Sequence, residues 1–305
     1  MRRLLVTAVW AIALLGSVVA GAVGLQSHIV GMAAVTSVSS ATPEQQAETQ
    51  APAEPEVVLD ELLAAELVEV TPPGDRQLSV AVMDLETGER AVSGSGRYDT
   101  ASIVKVDVLA ALLLQAQDAG RALTTNERAR ATNMIRNSDN DATTALWTAI
   151  GGAAGLDAAN QRLGLTDTIA GLNGRWGLTQ TTAEDQLILL NAIFGTGSVL
   201  VQADRELIEG LMESVSAGQD WGVSAADSGA ALKNGWLPRT ATGLWDINSI
   251  GRVHVEGREW LIAVLSDGNP TQADGIALVE EATRAAASAI RTTARPGLVA
   301  GQLSE

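Results

Sequence analysis

Cysteine is absent from this chain of 305 residues, and histidine occurs only twice, at His28 and His254. The absence of thiols excludes a cysteine nucleophile, disulfides, iron–sulfur clusters and zinc sites built on cysteine. Two histidines are too few for a multi-histidine metal centre. A Ser-His-Asp triad would depend on His254 alone, because His28 adjoins an apolar N-terminal run. We therefore expect no metal and no other cofactor, and a lysine or a carboxylate as the base of any chemistry.

Tyrosine and phenylalanine are nearly as scarce, with one of each, so the core must be aliphatic apart from seven tryptophans. Hydrophobic residues make up 46% of the chain, which suffices for a sizeable core. Acidic residues outnumber basic ones by 36 to 20, for a net charge of −16. A surface of this sign repels phosphate backbones, so we expect no nucleic-acid partner.

The N-terminus combines a basic start with a long apolar run. Arg2 and Arg3 precede a nearly uncharged stretch, and no further charge occurs before Glu44. This pattern predicts a signal peptide or an N-terminal membrane anchor over residues 1–34, and the choice between them stays open. With the positive end inside, the rest of the chain lies outside the cytoplasm, either secreted or anchored to the outer face of the membrane. Without cysteine, a lipid-anchored lipoprotein is excluded.

The remaining chain divides into three parts. Residues 35–56 are rich in Ala, Pro, Glu and Gln, a composition that predicts a disordered linker. Residues 57–294 carry the periodic apolar patterns of a folded domain, and residues 295–305 are expected to form a flexible tail. Only the N-terminal segment, residues 1–34, is expected to contact a membrane, and we expect a monomer.

Within the domain, strand patterns occur near both ends and helical patterns fill the middle. The expected strands are 78–84, 90–92, 230–236, 247–255 and 259–266, and the expected terminal helices are 57–68 and 273–292. The economical architecture is α+β. One antiparallel sheet is built from both chain ends and flanked by the terminal helices, with an all-helical lobe beside it.

Ser102 and Lys105 begin a predicted helix, from Ser102 to about Ala119, that is apolar on all sides and therefore central to the domain. A spacing of three puts the two side chains one turn apart on one face. A lysine in such a helix is partly desolvated, which favours the neutral amine and lets it act as a base toward the serine. The plain alternative is a capping serine followed by a lysine that reaches for solvent.

Two further motifs follow, and each has an ordinary structural alternative. Ser138-Asp139-Asn140 falls between two predicted helices, where these residue types commonly cap a helix. Lys233-Asn234-Gly235 falls on a predicted strand and could be a solvent-facing edge with a bulge glycine.

In this order and on these elements, the three motifs resemble the Ser-x-x-Lys, Ser-Asp-Asn and Lys-Thr-Gly set of class A β-lactamases and penicillin-binding proteins. The resemblance extends over roughly Val57 to Thr292 and includes the first hairpin, Leu78 to Gly88, and an aromatic at Tyr98. It implies the β-lactamase/transpeptidase-like fold and a serine hydrolase that acts on β-lactams or peptidoglycan peptides.

The resemblance also implies roles for individual residues. Ser102 would attack the carbonyl, Lys105 would accept its proton and Ser138 would relay a proton to the leaving nitrogen. Asn140, Lys233, Asn234, Gly235 and Trp236 would bind the substrate. Among these, Lys233 would attract a carboxylate, and the backbone N–H groups of Ser102 and Trp236 would form the oxyanion hole.

Two departures from the family pattern affect the expected activity. Asn234 stands where the family has Thr or Ser. No glutamate occurs between Glu127 and Glu184, although Leu172-Asn173 resembles the pair that follows the family's deacylating glutamate. Asp167 is the one carboxylate between Asp157 and Glu184. We therefore expect a long-lived acyl-enzyme. The alternative is a non-catalytic domain at the cell surface that binds or senses peptidoglycan or β-lactams.

Overall fold

The computed structural model describes residues 58–71 and 74–294, so the predicted N-terminal segment, linker and tail lie outside the described residues. The helices in the described part are α1 (Leu59–Val68), α2 (Val104–Asp118), α3 (Thr125–Arg136), α4 (Asn140–Ala149), α5 (Gly152–Leu163), α6 (Ala183–Phe194), α7 (Gln202–Glu213) and α8 (Gln272–Thr293). The strands are β1 (Gln77–Asp84), β2 (Arg90–Ser93), β3 (Tyr98–Asp99), β4 (Gln180–Thr181), β5 (Ala231–Pro238), β6 (Trp245–Val255) and β7 (Arg258–Asn269). In this part of the chain, no helix is long and apolar enough to cross a membrane.

The main sheet has the order β2-β1-β7-β6-β5, and all neighbouring strands are antiparallel. Strands from the start of the domain therefore pair with strands from its end, as the sequence predicted. Glu256 and Gly257 form the tight turn between β6 and β7 with φ of 51° and 76°, values that suit a two-residue hairpin loop. The α+β class and the antiparallel sheet are confirmed.

Two hydrophobic cores lie on the two faces of this sheet. One lies between the sheet and the terminal helices, where α1 packs on α8 and side chains such as Leu63, Trp260 and Ile290 are fully buried. The other is centred on α2, in which every residue from Val104 to Leu114 is buried. Each buried leucine contributes about 1.5–3 kcal/mol of transfer free energy, so these cores fix the position of α2 relative to the sheet.

The predicted capping box at the start of α3 is present. The backbone N–H of Glu127 donates to Thr124 Oγ1 at 3.2 Å, and the N–H of Thr124 donates to Glu127 Oε2 at 2.7 Å. At the start of α2, the prediction was wrong in one detail. Ser102 lies in a turn of 3₁₀ helix, Ala101–Ile103, and the α-helix begins only at Val104. Ala101 has a φ of 48°, so the chain turns sharply before the serine instead of running straight into the helix.

Candidate active site

The turn that carries Ser102 is held against the edge strand β5. Asn248 on β6 donates from Nδ2 to the carbonyl oxygens of Asp99 and Thr100, at 2.9 and 3.2 Å. On β5, a Cβ added to Gly235 would lie only 2.7 Å from Thr100 O and 2.8 Å from the backbone nitrogen of Ser102. The glycine therefore permits the close approach of strand and turn that brings Ser102 beside β5.

Lys105 lies one turn after Ser102, and its side chain is completely buried. Its Nζ is 2.9 Å from Ser102 Oγ and 2.9 Å from Asn140 Oδ1. It is also 2.6 Å from the carbonyl oxygen of Ser138 and 3.0 Å from Ser138 Oγ. Four oxygens thus surround the nitrogen. A neutral amine fits this shell by donating to the carbonyl and the amide oxygen while its lone pair faces the hydroxyl of Ser102.

Burial lowers the pKa of Lys105 from its ordinary value of 10.5 to about 7, and the negative charge of Asp139 only partly opposes this effect. The cause is desolvation, because the charged ammonium loses its hydration inside the domain. At neutral pH a large fraction of Lys105 is then the free base, which is the form that can accept a proton from Ser102.

Ser138 lies between this lysine and a second buried lysine, Lys233 on β5. Ser138 has a φ of 55°, and the following Asp139 caps α4 by accepting a hydrogen bond from the N–H of Ala142 at 2.6 Å. Lys233 Nζ donates to Ser138 Oγ at 3.1 Å and to the carbonyl oxygen of Asn234 at 2.9 Å. Burial, and secondarily the charge of Lys105, lower the pKa of Lys233 well below its ordinary value. The Ser138 hydroxyl therefore bridges two amines.

Asn234 is buried and faces a loop instead of the cleft beside Ser102. Its Nδ2 donates to the carbonyl oxygens of Gln219 and Trp221, at 2.9 and 2.8 Å, which uses both amide hydrogens. Within the described part of the chain, nothing donates to its buried Oδ1. The predicted contact of Asn234 with a substrate carboxylate stays a prediction, and it would require the amide to leave this loop.

The cleft beside Ser102 has a volume of about 440 Å³. Its lining contains Ser102, Asn140, the end of β5 and a loop that the motifs did not identify; the lining residues are Ala101, Ser102, Asn140, Gly174, Arg175, Trp176, Gly177, Leu178, Trp236 and Leu237. Trp176 lies with its ring centroid 5.0 Å from Lys105 Nζ, and its Nε1 donates to Thr144 Oγ1 at 3.3 Å. No sequence motif marks Trp176 or Arg175, because their position depends on how the loop returns to the nucleophile.

No carboxylate lines this cleft in the described part of the chain. Asp167 instead forms an ion pair with Arg97, and both residues line a separate depression with Ser79 and Thr182. Asn173 is exposed with a φ of 57° and does not line the cleft. His254 lies on β6, where its Nδ1 is 3.1 Å from Asp227 Oδ2. Among residues 58–71 and 74–294, no cluster of three or more acidic or histidine side chains could hold a metal ion.

The model of the β-lactamase enzyme family matches residues 123–290. The chain belongs to the β-lactamase enzyme family. The matched range contains Ser138, Asn140 and Lys233, whereas Ser102 and Lys105 precede it.

Solved structures share the fold of this β-lactamase family member at low sequence identity. A class A β-lactamase from Bacteroides cellulosilyticus superposes with a TM-score of 0.67 and 18% identity, covering 77% of this chain and 99% of that one. The structure of PBP-A superposes with a TM-score of 0.65 and 19% identity, covering 78% and 98%. A variant of PBP-A, described as an acyl-enzyme complex with penicillin G, superposes with a TM-score of 0.64 and 21% identity. The match covers 78% of this chain and 99% of that one.

Among curated sequences, LppW of Mycobacterium tuberculosis and of Mycobacterium bovis, named as a lipoprotein, is 28% identical over 169 residues. The match covers 52% of this chain and 54% of the relative, so the chain spans about half the length of these relatives.

Proposed function

We propose that this protein is an extracytoplasmic serine acyl-transfer enzyme that is acylated at Ser102 by β-lactams or by D-alanyl peptides of peptidoglycan. The observation that carries the proposal is the position of Lys105 Nζ, 2.9 Å from Ser102 Oγ and with a pKa lowered to about 7. A nucleophile within hydrogen-bond distance of a base that is neutral near physiological pH is the arrangement that covalent catalysis requires.

The proposed reaction begins when Lys105 takes the proton of Ser102 as Oγ attacks the carbonyl carbon. The backbone N–H groups of Ser102 and Trp236 would stabilise the resulting oxyanion. Ser138 would then pass a proton to the leaving nitrogen, and its hydrogen bonds with Lys105 and Lys233 support this relay. Asn140 would orient the amine through its 2.9 Å hydrogen bond.

Deacylation is proposed to be slow, because the lining of the cleft contains no carboxylate that could activate a water molecule. Asp167 cannot serve from its present position, since it is paired with Arg97 in another depression. The acyl-enzyme would then persist, which is the behaviour of a penicillin-binding protein more than that of a rapid β-lactamase.

The cell-envelope location is proposed from the basic and apolar N-terminal segment, and the lipoprotein name of the mycobacterial relatives supports it. The N-terminal segment would direct export, either as a cleaved signal peptide that leaves a secreted protein or as a retained anchor on the outer face of the membrane. A monomeric domain over residues 57–294, between a linker and a tail, completes the proposed organisation.

The test is the intact mass of the full chain after incubation with benzylpenicillin. We expect an adduct of one penicillin per protein that is lost in Ser102→Ala and in Lys105→Met. Ser95→Ala, a change at an exposed serine outside the cleft, should form the adduct like the unchanged protein. The adduct should persist for many minutes. Rapid hydrolysis of the drug without an adduct would contradict slow deacylation and reveal another base.

A second candidate is a binding or sensor domain that holds a ligand without reacting, and the inward position of Asn234 favours it. This candidate predicts saturable binding of benzylpenicillin with no change in protein mass, unaltered in Ser102→Ala. Comparing the unchanged protein with Ser102→Ala, for both mass and binding, therefore distinguishes the two functions.

A further inference from the structure

The cleft beside Ser102 is lined by aromatic side chains from two separate segments of the chain. Trp176, with Leu178, belongs to the loop, and Trp236, with Leu237, belongs to the end of β5. Trp221 packs against Trp236, with ring centroids 6.2 Å apart and planes tilted by 54°. Both cleft indoles remain partly exposed, although large aromatic side chains gain free energy from burial. Open aromatic faces in a concave site are typical of a pocket that binds an apolar group.

Arg175 lines the same cleft and is exposed. Eight other arginines in the described part of the chain form ion pairs with carboxylates. The guanidinium of Arg175, by contrast, has no hydrogen-bond or ion-pair partner among the described residues. In a chain with a net charge of −16, an unpaired cation beside the nucleophile is a specific feature of this site.

The loop that carries Arg175 is held firmly by its own backbone. Ile169 and Gln180 pair across its base with N–H···O distances of 2.8 and 2.9 Å. The N–H of Arg175 donates to Leu172 O at 3.1 Å, and its carbonyl accepts from the N–H of Leu178 at 2.9 Å. A Cβ at Gly171 would lie 2.1 Å from the carbonyl oxygen of Arg175, so the turn is closed tightly around this residue.

The two lysines of the site cannot form an ion pair with a substrate side chain in the cleft as Arg175 can. Lys105 and Lys233 are buried, and their amines are surrounded by protein oxygens of Ser102, Ser138, Asn140 and Asn234. Arg175 is the exposed cation in the lining of the cleft.

We propose that this cleft selects the acyl side chain of its substrate, taking a planar apolar group that bears a carboxylate, packed against Trp176 and Trp236 and paired with Arg175. The inference rests on the proposed acylation of Ser102, because the cleft is that of this nucleophile. To the proposed function it adds the class of substrate that the cleft prefers. The preferred acyl donor has an anionic aromatic or similarly flat side chain, and donors with a cationic side chain are disfavoured.

Three penicillins with the same nucleus test the proposal. Their phenylacetyl side chains carry hydrogen, a carboxylate or an ammonium group at the α-carbon, as in benzylpenicillin, carbenicillin and ampicillin. We expect the second-order acylation rate of the full chain to fall in the order carboxylate, hydrogen, ammonium. The carboxylate should raise the rate by up to about fivefold over hydrogen, because a partly exposed ion pair contributes up to about 1 kcal/mol. The ammonium group should lower the rate by a factor of similar size.

Variants separate the contribution of charge from that of packing. Arg175→Gln should bring the three rates together, and Arg175→Glu should invert their order. Arg130→Gln is the matched control, because Arg130 is exposed on α3 and outside the cleft, so the original order should persist. Trp176→Ala should lower all three rates about tenfold, and Trp176→Phe should restore most of the loss. Equal rates in the unchanged protein, or an order unaffected by Arg175→Glu, would overturn the proposal.

Equilibrium binding to Ser102→Ala, measured by calorimetry, distinguishes failure of the inference from failure of the proposed function. If no penicillin acylates the unchanged protein but the variant binds them in the expected order, acylation is refuted and the selectivity holds. If acylation proceeds at Ser102 without this order, the selectivity alone is refuted. Absence of both binding and acylation refutes both.

Discussion

Replacing Lys105 by methionine should make the free energy of unfolding depend less on pH, because Lys105 is buried without an ion pair. In the described part of the chain, no carboxylate forms an ion pair with Lys105 or Lys233. Methionine has a similar length and a flexible unbranched chain, so it can occupy the same space without a charge.

The direction of this pH effect follows from the number of protons that the folded and unfolded states bind. The unfolded chain binds a proton at Lys105 below a pKa of about 10.4, whereas the folded protein does so only below about 7. Between these values the unfolded state holds more protons, so the free energy of unfolding of the unchanged protein decreases as pH falls from about 10 to about 7. Below about 7 the effect of this residue is constant, because both states are then protonated.

The size of the change in unfolding free energy can be obtained from the folded and unfolded pKa values of Lys105. The cost of burying Lys105 is about 2 kcal/mol at pH 9 and about 4 kcal/mol at pH 7. The difference in unfolding free energy between Lys105→Met and the unchanged protein should therefore shift by about 2 kcal/mol in favour of the variant between these pH values. Hydrogen bonds lost in the variant cancel in this comparison.

The assay is urea denaturation of both proteins at pH 9, 8 and 7, with the midpoint and slope recorded at each pH. Parallel pH profiles for the two proteins would refute the reasoning, since they would mean that Lys105 has an ordinary pKa in the folded state. A shift in the opposite direction would require an unrecognised anion beside the amine.

Three shorter predictions concern the same site. The rate of acylation by benzylpenicillin should fall about tenfold per pH unit below the pKa of Lys105, about 7, and level off above pH 8, as stopped-flow kinetics would show. Gly235→Ala should lower that rate at least about 100-fold, because the added Cβ would lie 2.8 Å from the backbone nitrogen of Ser102; calorimetric unfolding would show a loss of about 1–3 kcal/mol in stability. Asn234→Ala should destabilise the protein by about 1–3 kcal/mol and speed hydrogen exchange around Trp221, because that loop loses two hydrogen bonds.

The sequence predicted the fold well because the evidence for it is local. The strand patterns, the capping box at Thr124 and the all-round apolar pattern of α2 each depend on neighbouring residues, and each predicted element is present. The antiparallel sheet built from both chain ends was also predicted, whereas the order of its strands was not. The 3₁₀ turn at Ser102 was missed, because it depends on packing against Gly235, which lies more than 130 residues away in the chain.

The site was predictable in part for the same reason. The motifs identified the residues that now meet at Ser138, but they gave no indication of the wall formed by Trp176 and Arg175. That wall depends on the return of the loop between Ile169 and Gln180, which is a tertiary feature. Asn234 was interpreted by its position in a motif, whereas its environment is decided by two carbonyl groups of a distant loop.

The distribution of cations in this chain supports the chemistry assigned to Lys105. The chain has 18 arginines but only two lysines, and both lysines lie in the site. Arginine remains protonated in proteins and suits exposed ion pairs, such as the one between Arg162 and Asp118. Lysine can lose its proton when buried, so it is the cationic residue that can become a base. A role confined to electrostatic binding or packing would not explain why lysine occurs only where two buried amines share one serine hydroxyl. The proposed proton transfer through Ser138 does explain it.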